Sequence, residues 1–216
     1  MPYKLSMTIA VFLLSSTCAM GASQPGPKKV WGGGDKSTST YSGKYVPHII
    51  KVLEENRLAG YEWAGKSEGT VMNAEMVTAN PTNLAVGQLD ILRNIKDKPM
   101  SNGSGNENYA FTILHENIGP ECLYTVTAQK GYTTWGHVLG NAWDLTIITG
   151  GAKSGAYGTL QGLIQIYPDM ADAKVVNAGG AMDIIDQVRR TPSSIGFFVM
   201  RPDPNSPVFM KIVESK

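Results

Sequence analysis

Two cysteines in 216 residues are too few for a disulfide framework. Cys18 falls in an amino-terminal stretch read below as an export signal, which leaves Cys122 alone in the remaining chain. Histidine is just as scarce. His48, His115 and His137 are the only three, with no pair at i, i+4, and one cysteine cannot complete a usual zinc set, so no metal site is expected. His115-Glu116 lacks the second histidine of a zincin helix and reads as a surface or half-buried residue. Charge is sparse, at 17% of residues with a net charge of +1, which excludes the broad basic field of a nucleic-acid or anionic-membrane binder. No Gly-x-Ser-x-Gly elbow is present, and Gly103-Ser104-Gly105 lies in a polar stretch without a following apolar helix. Gly43-Lys44-Tyr45 lacks the Ser or Thr of a phosphate-binding loop. Neither an enzyme nor a cofactor is expected from these residues.

No apolar run approaches the roughly 20 residues of a membrane-spanning helix. Met7 to Leu14 is about half as long as such a helix, follows Lys4, and is itself followed by the small residues Ala19-Met20-Gly21-Ala22. Residues 1–22 are therefore expected to be an export signal cut after Gly21 or Ala22, placing the mature protein in the periplasm. Lipid attachment at Cys18 is disfavoured, because Ser15-Ser16-Thr17 lacks the leucine and small residue of a lipobox.

What is present is the composition of a folded protein: 42% hydrophobic residues, with 24 glycines and 12 prolines for tight turns. Strand and helix patterns alternate along it. Val30-Trp31 leads into Gly32-Gly33-Gly34, and Val46, Ile49, Ile50 and Leu53 then repeat at i, i+3, i+4, i+7, the spacing of one buried helix face. Tyr61 to Ala64 reads as a second strand, Thr70 to Ala79 as a helix stopped by Asn80-Pro81, and Leu84 to Gly87 as a third, buried strand. This βαβαβ order predicts a parallel sheet. Residues 97–108 form the most loop-like stretch and a candidate boundary.

Beyond it, Phe111 to Leu114, Leu123 to Ala128 and Trp143 to Thr149 are strand candidates, with Cys122 expected as a buried small hydrophobe. Gly150 to Gly155 is a second glycine turn, and the apolar spacing of Leu160, Leu163, Ile164 and Tyr167 predicts a helix behind it. Lys174 to Asn177 reads as a strand, Ala181 to Arg190 as a helix burying Ile184, Ile185 and Val188, and Ile195 to Met200 as the closing strand. Proline density keeps Arg201 to Pro207 out of any central strand.

Strand, glycine turn, then helix thus occurs twice, at Val30 to Ile50 and at Leu145 to Ile164. Each such turn aims free backbone amides and a positive helix end at one place, and two facing each other would hold an anion. Such turns are also ordinary connections, and spacing alone does not separate the two readings. Lys153 and Arg201 are the cations placed to pair with a carboxylate, against the competing reading of solvated basic side chains on loops. Asp183 reads as a charge in the first turn of its helix, and Trp31, Trp63, Trp135 and Trp143 as scattered core or rim residues.

Gly32 to Tyr41, Gly69 to Ala74 continuing through Ala79-Asn80-Pro81 to Gln88-Leu89-Asp90, and Thr149 to Tyr157 resemble successive blocks of the TAXI-type solute receptors of TRAP transporters. More broadly they resemble type II periplasmic binding proteins, over about residues 29 to 213. The resemblance implies a two-lobe, periplasmic-binding-protein-like (type II) α/β fold, with residues 23–118 as the first lobe and 119–207 as the second. It implies a small, carboxylate-bearing solute held between the lobes and membrane permease subunits as partners, with no nucleic acid. Carried over by position, the ligand-binding residues are Gly34, Ser37, Thr38 and Tyr41 on the first turn, Gly69 and Thr70 at the next helix start, Gln88 after the third strand, and Ser154, Gly155, Ala156 and Tyr157 on the second lobe. Asp35 and Lys36 stand where that family carries small residues. Its members also run longer, so residues 208–216 are expected to begin a return to the first lobe, which would be incomplete at its C-terminal end. An exported solute-sensing or interaction domain on the same fold is the alternative role.

Overall fold

The computed structural model describes residues 27–37, 39–100 and 108–214. The expected export signal and Thr38 lie outside the described residues, as do residues 101–107 of the loop-like stretch. The described chain is mixed α/β with two separate sheets.

The first sheet is built from β1 (Lys28–Trp31), β2 (Tyr61–Trp63) and β3 (Leu84–Ala85), all parallel in the order β2-β1-β3. Helix α1 (Val46–Glu55) follows β1, with Pro47 in its first turn where the missing amide is harmless. Val46 and Leu53 bury against Val30 of β1, and Ile49 and Ile50 pack beside them. Helix α2 (Thr70–Ala79) occupies the residues that the sequence predicts. A third, α3 (Leu89–Ile95), starts directly after the β3 turn and buries Ile91.

The second sheet has β4 (Cys122–Val126), β5 (Thr146–Thr149), β6 (Lys174–Asn177) and β7 (Ser194–Met200) in the order β4-β7-β5-β6. Strands β5, β6 and β7 run parallel, and β4 is antiparallel to β7. Both faces of the sheet are covered, and side-chain alternation divides the apolar residues between them. Ile147, Ile195 and Phe197 face one core with Leu160 of α5 (Gly155–Ile166) and Val138 of α4 (Trp135–Gly140). Ile148 and Phe198 face the other with Ile184, Ile185 and Val188 of α6 (Ala181–Arg190) and Val208 of α7 (Pro207–Glu214). Residues 208–214 thus continue as a helix against α6 and the second sheet.

Three local expectations are corrected. Phe111 to Leu114 pairs with no strand, and Leu114 is 77% exposed. Cys122 is exposed, because β4 is an edge strand whose partner, β7, lies on one side only. Trp143 belongs to a 3-10 turn, Ala142–Asp144, ahead of β5, and is 74% exposed, so the strand begins three residues later.

Candidate functional site

A cleft of roughly 1700 Å³ runs between the two sheets. The first glycine turn reaches its wall already tied from inside. Ser42 donates to the Gly34 carbonyl at 3.1 Å, Ser39 donates to the Gly33 carbonyl, and Ser67 donates to the Gly32 carbonyl at 2.7 Å. Gly34 itself takes φ 78°, a conformation that favours glycine, and donates to the Ser67 carbonyl at 2.9 Å. Ser37 is exposed, and its hydroxyl donates at 2.6 Å to Asp35, whose carboxylate is held below its ordinary range by that bond. Asp35 therefore shapes this turn.

Tyr41 opens a π-helical turn, Tyr41–Tyr45, of a kind often found at functional sites. The two rings meet edge to face at 5.7 Å. From here the first half reaches the second where the chain crosses between the sheets. Tyr45 Oη accepts from Arg201 at 2.7 Å, Lys44 lies 3.6 Å from Asp203, and Tyr41 lies beside Glu121. Burial, and then the negative charge of Glu121, hold the Tyr41 hydroxyl far above its usual range. Burial also raises Glu121, with Asp90 adding to the effect and Tyr41 opposing it.

A carboxyl whose folded pKa exceeds its unfolded 4.5 binds its proton more tightly in the native state, so stability falls as pH rises from about 4.5 through the folded value. Glu121→Gln is expected to remove that slope and raise the melting temperature at neutral pH. A pH series of thermal melts that leaves the mutant and the parent parallel would contradict the assignment.

Beside the first turn, where a Cβ on Gly33 would lie 3.4 Å from Gly69 Cα, the residues Gly69, Thr70, Gln88, Ser154 and Gly155 come together in direct contact with one another. A Cβ on Gly69 would lie 3.3 Å from Ser154 Cα, and Gly69 takes φ 137°. Thr70 Oγ1 accepts from the Gln88 amide at 3.0 Å, and the Gln88 side-chain oxygen lies where a Gly155 Cβ would be. Ser154 caps α5 by accepting from the Tyr157 amide at 3.1 Å. Ala156 lines the cleft, and Tyr157 is half-buried behind it.

No protein-family model, curated protein or solved structure matches the chain.

The two cations have different fates. The Lys153 ammonium lies 2.6 Å from Glu75, which is buried at 5% exposure, so its charge is already matched. Arg201 lines the cleft with one nitrogen on Tyr45 and shows no ion pair among the described residues. Arg93, also on the wall, is held by Glu116 through two bonds of 2.8 Å. The sequence reading does not place Tyr45, Glu121 or the start of α6 in the site. For α6 the available signal was Gly179-Gly180, a third glycine pair ahead of a helix, whose N-terminal residues line the same cleft.

Proposed function

We propose that this chain is an exported solute-binding receptor, one that closes two α/β lobes around a small carboxylate-bearing solute and delivers it to the permease subunits of a membrane transporter. The observation that carries this reading is that the glycine-led starts of α2, α5 and α6 all border one cleft between the two sheets. At roughly 1700 Å³ the cleft exceeds the roughly 300–1000 Å³ of a drug-sized pocket, so volume alone does not select a solute. Charged groups on its wall must do so. Arg201 supplies a guanidinium fork suited to a carboxylate, with Tyr45 fixing its position.

The test is thermal unfolding against amino acids, dicarboxylates, oxo acids and phosphates, since a ligand of the folded state raises stability by mass action. A rise confined to carboxylates is expected. Arg201→Gln should then weaken the active carboxylate by about 10- to 100-fold, as loss of a charge-assisted bond implies, with little change in the unliganded melt. A melt that none of the four classes moves would overturn the reading.

A further inference from the structure

Among the described residues the two halves touch at several places. One is where the chain crosses: Cys122 and Met200 are paired neighbours on β4 and β7, and the Tyr45–Arg201 bond lies beside them. A second is the Gly150–Gly155 loop, which follows β5 and meets the start of α2 with no covalent connection nearby, and beside it α5 packs on α3 with Ile91 against Gly158.

This second contact is dense in polar bonds. The Lys153 carbonyl accepts from the Val71 and Met72 amides at 3.0 and 3.3 Å, so it caps the N-terminus of α2. The Lys153 amide donates to Glu68 Oε2 at 3.2 Å, and its ammonium reaches across to Glu75 Oε2 at 2.6 Å. One residue of the second half therefore spends its carbonyl, its amide and its side chain on the first half. The fit is close as well: a Cβ on Gly151 would lie 2.5 Å from Glu68 Oε2, so any larger residue there would push the Glu68 carboxylate aside. A plain surface ion pair needs none of this backbone engagement.

We propose that the Gly150–Gly155 loop is a clasp that holds the two halves together through Lys153, independently of any solute, and so sets how much of the protein is open to receive one. The inference rests on the solute-receptor reading and names its regulation. Two states that differ by a few charge-assisted bonds shift their ratio when those bonds are removed. The clasp also occupies the α2 amides at which an anion was expected. A solute carboxylate reaches Val71 and Met72 only when the Lys153 carbonyl has left them.

The test measures a distance. In the chain carrying Cys18→Ser and Cys122→Ser, nitroxides on Asp172→Cys, an exposed position of the second half away from the crossing, and on Glu54→Cys, an exposed position of α1, report the separation of the halves. The double variant Lys153→Met, Glu75→Met removes both charges and leaves neither buried alone. It is expected to move the open-to-closed ratio by about tenfold or more, as loss of a charged hydrogen bond implies, and the distances should lengthen. Lys153→Arg should keep the short distance. Glu68→Ala, at an exposed residue, weakens only the bond to the Lys153 amide and should lengthen the distances less; it serves if the double variant does not fold. Unchanged distances in whichever of these variants melt cooperatively would overturn the clasp. Sodium succinate, added as the probe, separates the two claims: if neither it nor the wider panel shifts the parent's melt, the receptor reading fails, while the distances still decide the clasp.

Discussion

Phe197→Ala is expected to cost about 3–5 kcal/mol, the largest single loss from the second sheet. Phe197 has 0% exposure and packs in one core with Leu145, Ile147, Leu160 and Ile195, where the neighbours are held by β5, α5 and β7 and cannot close on the space that the ring leaves. A loss of that size should lower the melting temperature by about 6–20 °C for a chain of this length, read by circular dichroism. Trp143→Ala supplies the contrast. Its ring is larger but 74% exposed, and its removal should change stability by no more than about 0.5 kcal/mol. Equal effects of the two substitutions would mean that the sheet does not bury the face assigned here.

These two aromatics also show what a sequence reveals and what it hides. Ile195 to Met200 reads as a closing strand because a buried strand needs an unbroken apolar run, and β7 proves to be the strand between β4 and β5. Helices α1, α2 and α6 were legible for a similar reason. Their apolar spacing, or the Asn80-Pro81 stop after α2, is local information. Trp143 was drawn into the neighbouring strand because apolar content does not say where a strand starts; the 3-10 turn at Ala142–Asp144 does, and it is set by packing against the turn at Pro168–Asp172. Cys122 failed on position within the sheet. Nothing in an apolar run states whether its strand will have one neighbour or two.

The candidate site divides in the same way. The glycine turns were visible, and the structure brings the residues after them to one cleft. Their use differs between the two sides. On the first turn, the serines at 39, 42 and 67 satisfy the backbone carbonyls internally, and Asp35 holds Ser37. On the second, the contacts of Lys153 join residues far apart in sequence. Glu75 lies 78 positions before it, in the middle of an α2 face whose burial gave no sign of an ion pair. A lysine in a glycine turn and a glutamate in a helix carry no mutual signature in one sequence, so the reading as a ligand cation and the reading as a solvated side chain both missed the outcome.

Lys153→Met alone is accordingly expected to cost about 2–3 kcal/mol. Glu75 Oε1 already has no hydrogen-bond partner, and its Oε2 relies on the ammonium. Removing one partner of a fully buried pair costs roughly 3–5 kcal/mol, because the other charge stays in a low-dielectric site. Here the Lys153 side chain is 36% exposed, so water screens part of the pairing and the lower figure applies. Glu75→Met in the same protein should recover most of the loss, since no charge is then stranded. The pH dependence has a definite sign. Glu75 raises the Lys153 pKa above its ordinary 10.5, so the stabilisation is complete below that value and fades as pH climbs through the folded one. Denaturant melts of the four proteins in this cycle decide it. A double mutant no more stable than Lys153→Met would show that the cost comes from lost packing of the lysine stem, and that Glu75 is not the group the ammonium serves.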